Sequence, residues 1–492
     1  MAIISAGEPA GLGRLFSRTW VQALVLAGLA LVLRWSAFGD PDITADEGFY
    51  HTVGIMMHHG ALPYVDVWDR KPLGLFLVYW AITGISAAPL AYQLAAYASA
   101  AATALVIARI AARTTGPQGA LLAGALYLVW LTPLFGFGGQ SPVFYNLPVA
   151  AAALLVLRAL PRLELGGRSP AAAMAMLLAG CAITIKTSAL FEGVYFGLAL
   201  LGAVRKSPEP LAWIVARALR WSLLGALPTL LIAGWYAAVG HWPEWWHAMV
   251  TANLAKGGDW ASSSLRLVLL WRLIMPVVLA AAAGLVLLRP QARAFPAGWL
   301  LAALLGMAAI PNFYPHYALP LLVVLCVCAA PLLGRGWLGL IVALVLAGLS
   351  LRAETPFRPG QAARSARTFA DLAASIRAHD GGHGLLVYAG PAQLYPLSGN
   401  RLPTPLAFET HLSQVTERNV SHVDTVAELR RVLANRPGAV VLPVTVRNGP
   451  VIPETWVMVS AYVHANCRPV LQRHVEDWLL ADDLVVWGDC RR

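Results

Sequence analysis

Long apolar stretches recur along the first 351 positions, most of them long enough to cross a bilayer as a helix, with short polar connections between them. They fall at 19–38, 72–88, 90–112, 117–135, 142–160, 172–188, 189–204, 211–239, 265–288, 295–311, 315–333 and 336–351. Arginine gathers in alternate connections, at 108–116, 158–168, 204–206, 289–293 and 334–336, which predicts that these face the cytoplasm. The connections at 136–146, 186–192, 240–260 and 311–317 then share the opposite face with the polar stretch from Asp40 to Pro72. Twelve crossings from a cytoplasmic N-terminus would return the tail inside, whereas the charge around the last segment sends it out. An odd total, 11 or 13, is therefore expected. The segment at 72–88 is the one that breaks the count, because a full crossing there would carry Arg109 and Arg113 to the outside; it either dips part-way or pairs with a further short helix.

From Arg352 the pattern changes. The last 141 residues carry 13 of the 25 acids and lose the long apolar runs, which predicts a separate soluble domain at 352–492. Helical periodicity at 366–378 and 425–434 alternates with strand-like runs at 384–390 and 439–444 and with a terminal pair near Val470 and Leu484 to Trp487. The fold class expected is thus a polytopic all-α membrane protein of 11 to 13 transmembrane helices, residues 1–351, with an extracytoplasmic α/β domain at its C-terminus. Cys467 and Cys490 flank the terminal pair and could bond in an oxidising compartment. Cys181, Cys326 and Cys328 sit in apolar helices. The tail has no GxGxxG and no P-loop, so no nucleotide site is expected there.

Composition removes the soluble alternatives. Only 12% of the 492 residues are charged, where soluble domains have about 25%, and the mean hydropathy is +0.63. The net charge of +11 comes from 32 Arg and four Lys, an excess that the positive-inside rule accounts for; no basic motif points to nucleic acid. The 18 Trp and 14 Tyr suit interfacial belts. Arg14 and Arg18 precede the first apolar run with no small-residue cleavage site after it, so a retained first helix is expected.

The chemistry concentrates in Asp40 to Pro72. This stretch holds Asp40, Asp42, Asp46, Glu47, Asp66 and Asp69, half of the twelve carboxylates in residues 1–351. Acids beside a bilayer are costly, so the stretch reads as a catalytic loop. A short helix beginning near Thr44 would set Glu47, Tyr50 and His51 on one side. An Asp at the membrane edge can act there as a base for a hydroxyl; the plainer alternative is a helix cap in a solvated loop. At the far end Arg70 and Lys71 precede Pro72 in a helix first turn, where an ammonium and free backbone N–H groups can meet a phosphate, unless Lys71 merely snorkels.

Two further places carry ionisable groups at membrane depth. Lys186 lies in apolar sequence and either pairs with Glu192 or supplies a second positive contact for a phosphate. His316 and Tyr317, in PNFYPHY, offer donors and acceptors at a helix boundary. A divalent metal held by Asp69 and His316 is conceivable, although no close-spaced ligand pair supports it, and no other cofactor is expected. The Trp-rich connection around Trp242, Trp245, Trp246 and Trp260 reads as an interfacial helix, with Lys256 and Asp259 in it open to a substrate or to solvent.

These residues together resemble the polytopic GT-C glycosyltransferases of the protein O-mannosyltransferase and aminoarabinose transferase type, family-39-like enzymes of bacteria. The resemblance rests on Arg34 in the first helix, Asp46-Glu47 followed by Tyr50, and the run from Gly60 to Pro72 with Tyr64, Asp66, Trp68, Asp69 and Lys71 in place. Lys186 after a small-residue helix and His316-Tyr317 before Leu319-Pro320 complete it. It implies a polyprenyl-phosphate-linked sugar as donor, an acceptor hydroxyl on a lipid, glycan or protein, and inversion at the anomeric carbon on the extracytoplasmic face of the bacterial inner membrane. Asp46 would be the base with Glu47 beside it, Lys71 and Lys186 the phosphate contacts, and Arg34, Tyr50, Tyr64, Asp66, Asp69, Arg70, Asn146, His316 and Tyr317 the rest of the substrate site. Many relatives have Lys-Pro-Pro where this chain has Lys71-Pro72-Leu73, and some carry an acid where Arg70 and Asn146 stand. A transporter or flippase for a lipid-linked or anionic solute is the alternative, which the lack of a clear internal repeat disfavours.

Overall fold

All twelve apolar segments fold as helices in the computed structural model, which describes residues 18–255, 260–446, 449–479 and 481–490. Among the described residues eight helices are long and apolar enough to cross a membrane, from Thr19–Ala37 to Gly336–Ala353, as a multi-pass membrane protein requires. The helix from the segment at 72–88 is Leu73–Thr83, eleven residues long. At 1.5 Å per residue it extends about 16 Å, half of a hydrocarbon core of about 30 Å. That is too short for a full crossing. The turn after it is closed by the Ile85 and Ser86 amides on the Ile82 carbonyl, and the 23-residue helix Pro89–Ala111 follows.

The chain divides into two compact units, one of residues 1–35, 96–230 and 258–357, the other of 36–95, 231–257 and 358–492. The first is helical, and its helices touch through small residues, as apolar surroundings favour. A methyl group at Gly284 would overlap the Cys328 carbonyl, and one at Gly180 the Gly225 carbonyl. Arg34, buried, donates to the carbonyls of Gly136, Phe137 (2.9 Å) and Gly138 (3.2 Å), so it fastens the connection at 136–138.

The second unit contains a four-stranded sheet of β1 (Leu385–Val387), β2 (Ala439–Pro443), β3 (Arg468–Glu476) and β4 (Ala481–Gly488), in the order β1-β2-β4-β3. The first pair is parallel, with helix Thr425–Ala434 between its strands in sequence; the other two pairings are antiparallel. The expected strands and helices are all present. Helix Pro453–Asn466 was not foreseen, because its residues (PETWVMVSAYVHAN) lack a one-sided apolar stripe. Cys467 and Cys490 form a disulfide that brackets the β3-β4 hairpin.

The compact units do not follow a single boundary at 351/352: residues 36–95, which include the Asp40 to Pro72 stretch, and 231–257 group with 358–492. Asp40 accepts from the Trp478 indole (3.2 Å), and the Ile43 carbonyl accepts from the Trp478 amide (3.0 Å). Gln393 donates to Asp42 (2.7 Å) and to the Pro41 carbonyl (3.2 Å), while the Trp68 amide donates to the Pro405 carbonyl (2.9 Å). Asp40 and Asp42 are therefore buried docking groups. Replacing Cys467 and Cys490 with serine removes a cross-link over 23 residues. A loss of about 3 kcal/mol from the hairpin region is expected, read as proteolysis of that region at a lower urea concentration than in the parent.

Candidate active site

Helix Ala45–His58 begins where Thr44, extended, accepts the Glu47 amide at 3.5 Å, a capping arrangement that fixes the first turn. That turn carries Asp46 toward Lys71. The ammonium lies 3.2 Å from Asp46 Oδ1 and 3.1 Å from Asp69 Oδ2, with all three side chains about four-fifths buried or more. Burial works against the charge on Lys71, and the Asp46 and Asp69 carboxylates more than offset it, so its pKa is raised. Asp69 Oδ1 also accepts the amides of Arg70 (2.6 Å) and Lys71 (3.1 Å).

Aromatic rings enclose this cluster. The Lys71 ammonium stands 4.9 Å from the Tyr50 ring and 5.6 Å from that of Phe408. Tyr50 is fully buried against Phe76 and Tyr79, and burial, followed by Asp46 and Asp69, holds its phenol well above the ordinary value. Tyr64 sits in the left-handed region at φ +71°, a conformation a tyrosine adopts only under constraint. Its amide donates to Val67 (2.6 Å), its hydroxyl to the Lys71 carbonyl (2.9 Å), and the Tyr236 hydroxyl to the preceding Pro63 carbonyl (3.0 Å). Asp66 closes the same turn by accepting the Leu62 amide at 2.8 Å. Tyr64 and Asp66 thus shape the backbone that presents Lys71. Glu47 is buried in the same helix.

The remaining sequence-derived residues lie in the first unit. Lys186 is extended, at the break between Pro170–Ile185 and Leu190–Val204, and its ammonium lies 5.1 Å from the Tyr317 ring. A small pocket gathers Lys186, Ser188, Tyr145, Glu192, His316 and Tyr317. Glu192 accepts the Trp299 indole N–H at 2.6 Å, and the His316 ring stacks on Tyr314 at 5.9 Å. Asn146, fully buried, donates to the Tyr127 hydroxyl (3.3 Å) and the Leu319 carbonyl (3.0 Å). Lys256 and Asp259 lie outside the described residues.

Among solved structures, two of ArnT from Cupriavidus metallidurans align over nearly the whole chain. The one bound to undecaprenyl phosphate matches at a TM-score of 0.55 and 14% identity, covering 97% of this chain and 98% of its own. The apo form matches at 0.54 and 15%, covering 95% and 97%. The archaeal oligosaccharyltransferase AglB from Archaeoglobus fulgidus, in complex with an inhibitory peptide and a dolichol-phosphate, aligns at 0.46 and 11%, covering 86% and 69%. The fold is GT-C. No protein-family model matches the sequence, and no curated protein does.

The cluster also draws on residues that sequence reading passed over. Arg70 pairs with Glu417 at 2.6 Å, both largely buried, and Phe408 packs edge-on to Phe49 with ring centroids 5.1 Å apart. His411 packs on both of those rings. All three come from a segment some 340 residues downstream, irregular apart from the short 3-10 turn Val415–Glu417, where neither periodicity nor spacing marks them. The donors around Asp69 are an ammonium and two amides, which suit a carboxylate and not a metal. Among the described residues no group of three or more His, Cys, Asp or Glu is placed to hold a metal ion.

Burial lowers His411 to about 4, with Glu417 and Asp69 pulling weakly the other way, and burial lowers His51 to about 4 as well. Each stays neutral when folded and gains a proton on unfolding below its ordinary value near 6.5. Stability should therefore be at its full value above about pH 6.5 and fall as pH drops toward 4, by about 3 kcal/mol per histidine. The melting temperature followed by tryptophan fluorescence should show that slope, and His411→Leu should reduce it by about half.

Proposed function

We propose that this chain is a membrane glycosyltransferase that moves a sugar from a polyprenyl-phosphate donor to an acceptor hydroxyl, with inversion. The observation that carries this reading is the Lys71 ammonium held within 3.2 Å of Asp46 and 3.1 Å of Asp69. A carboxylate able to take a proton and a cation able to meet a phosphate stand in one enclosed cluster. The bond to ArnT is one of fold, and the undecaprenyl phosphate in its structure supports the same class of donor here.

The reaction needs no nucleotide, since the glycosyl phosphate carries the activation. The acceptor oxygen attacks the anomeric carbon as the bond from that carbon to the phosphate oxygen breaks, and the polyprenyl phosphate departs with the electron pair. Asp46 receives the hydroxyl proton. Lys71 gives its charge to the departing phosphate, the kind of stabilisation that acts most strongly where water is scarce. An arriving phosphate competes with Asp46 for Lys71, so donor binding frees the base. Asp69 holds the backbone at Arg70 and Lys71, and Glu417 holds the Arg70 side chain beside it. Lys186 remains a phosphate contact by the family resemblance alone.

We further propose eleven crossings with the N-terminus in the cytoplasm. If Leu73–Thr83 does not cross, Pro89–Ala111 carries Arg109 and Arg113 inward, and every arginine-rich connection then falls on the cytoplasmic side. The active cluster and the C-terminal residues lie outside, in the periplasm of a bacterial inner membrane, where the Cys467–Cys490 bond is at home.

Asp46→Asn should lower transfer from an undecaprenyl-phosphate sugar by about 10² to 10⁴. Lys71→Gln should lower it by about 10² to 10³. Full transfer by a folded Asp46→Asn protein would remove the base assignment.

A further inference from the structure

The first unit has a groove that the proposed reaction does not use. Its walls are helices Pro170–Ile185 and Leu211–Ala238, and its volume is about 640 Å³. The two helices run in parallel from one end, since Arg217 bonds the Gly167 carbonyl just before the first helix and Gly180 meets Gly225 further along both. They close on one another at Gly180, whose missing side chain lets the Gly225 carbonyl approach. From Pro170 to that crossing is ten residues, about 15 Å, or half of the hydrocarbon core.

Polarity changes along the groove. Arg168, Arg220 and the exposed Trp213 stand at its mouth; Met174, Leu177 and Leu224 line its depth. Arg217, between them, is committed to Glu209 and to the Gly167 carbonyl at 3.0 Å. Arg168 and Arg220 have neither a hydrogen bond nor an ion pair among the described residues. Two uncommitted guanidinium groups over an apolar slot one leaflet deep match an amphiphile with an anionic head.

We propose that this groove is a binding site for an anionic membrane phospholipid, its phosphate between Arg168 and Arg220 and an acyl chain against Met174, Leu177 and Leu224. The depth favours an acyl chain over a polyprenyl one, which would be far too long for a slot stopped at Gly180. The tryptophan at the mouth is placed for the headgroup level.

Native mass spectrometry of the full-length protein, delipidated in detergent and titrated with dioleoyl phosphatidylglycerol or dioleoyl phosphatidylcholine, tests this. The parent should favour phosphatidylglycerol by roughly thirtyfold, the ratio two arginine contacts would give. Arg168→Gln with Arg220→Gln should abolish the preference, while Arg205→Gln with Arg289→Gln should keep it. Ala173→Trp, which fills the slot without touching charge, should weaken the binding of both lipids. Equal binding of the two lipids by the parent, an unchanged preference in the Arg168/Arg220 variant, or no effect of Ala173→Trp would overturn the site. So would a bound mass in the purified parent that matches a polyprenyl phosphate and is lost with Arg168 and Arg220.

Discussion

The ammonium of Lys71 shared between Asp46 and Asp69 is the contact on which the rest of the second unit depends. Two carboxylates and one cation leave the cluster with a net negative charge in a largely buried place, which is affordable only because Asp69 is satisfied further by two amides. Removing Lys71 would leave both acids facing each other without a counter-charge. Removing Asp69 would loosen the backbone that carries Lys71. The same logic explains why the surrounding turn tolerates a tyrosine at positive φ: the Tyr64 hydroxyl and amide each hold a part of that turn, and their hydrogen bonds offset the strain.

The acids of the first polar stretch divide by partner. Asp40 and Asp42 face Trp478 and Gln393, with burial, Asp477, Asp40 and Glu409 all raising the pKa of Asp42. A group whose proton affinity is raised that way is suited to staying put as a docking element. Asp46 faces a cation instead. Composition counts all six acids alike, whereas their neighbours separate them: Asp40 and Asp42 meet Trp478 and Gln393, while Asp46 meets Lys71.

This shows what was legible in the chain and what was not. The helices at 19–38, 90–112 and 315–333 were readable because a bilayer demands a continuous apolar run. The β1-β2 strands were readable as short apolar runs, and the helix from Ala45 from its Thr44 cap. Lys71 with its acids could be suspected from their crowding, although the pairing of Lys71 with Asp46, 25 positions apart, is a fact of the turn at 62–67. Glu417, Phe408 and His411 were not legible, since they lie outside any periodic helix or strand pattern and owe their place to tertiary packing.

Length decides the topology where hydropathy could not. Hydropathy scores Leu73–Thr83 among the most apolar helices of the chain, so a composition rule counts it as a crossing. Its eleven residues reach about 16 Å, and no tilt lengthens a helix. Once it is taken as a dip, the tail comes out on the side of the first polar stretch, as the bonds from Trp478 to Asp40 and Ile43 require of two segments packed together. On that reading the charge asymmetry of the connections and those contacts both fit the eleven crossings proposed above.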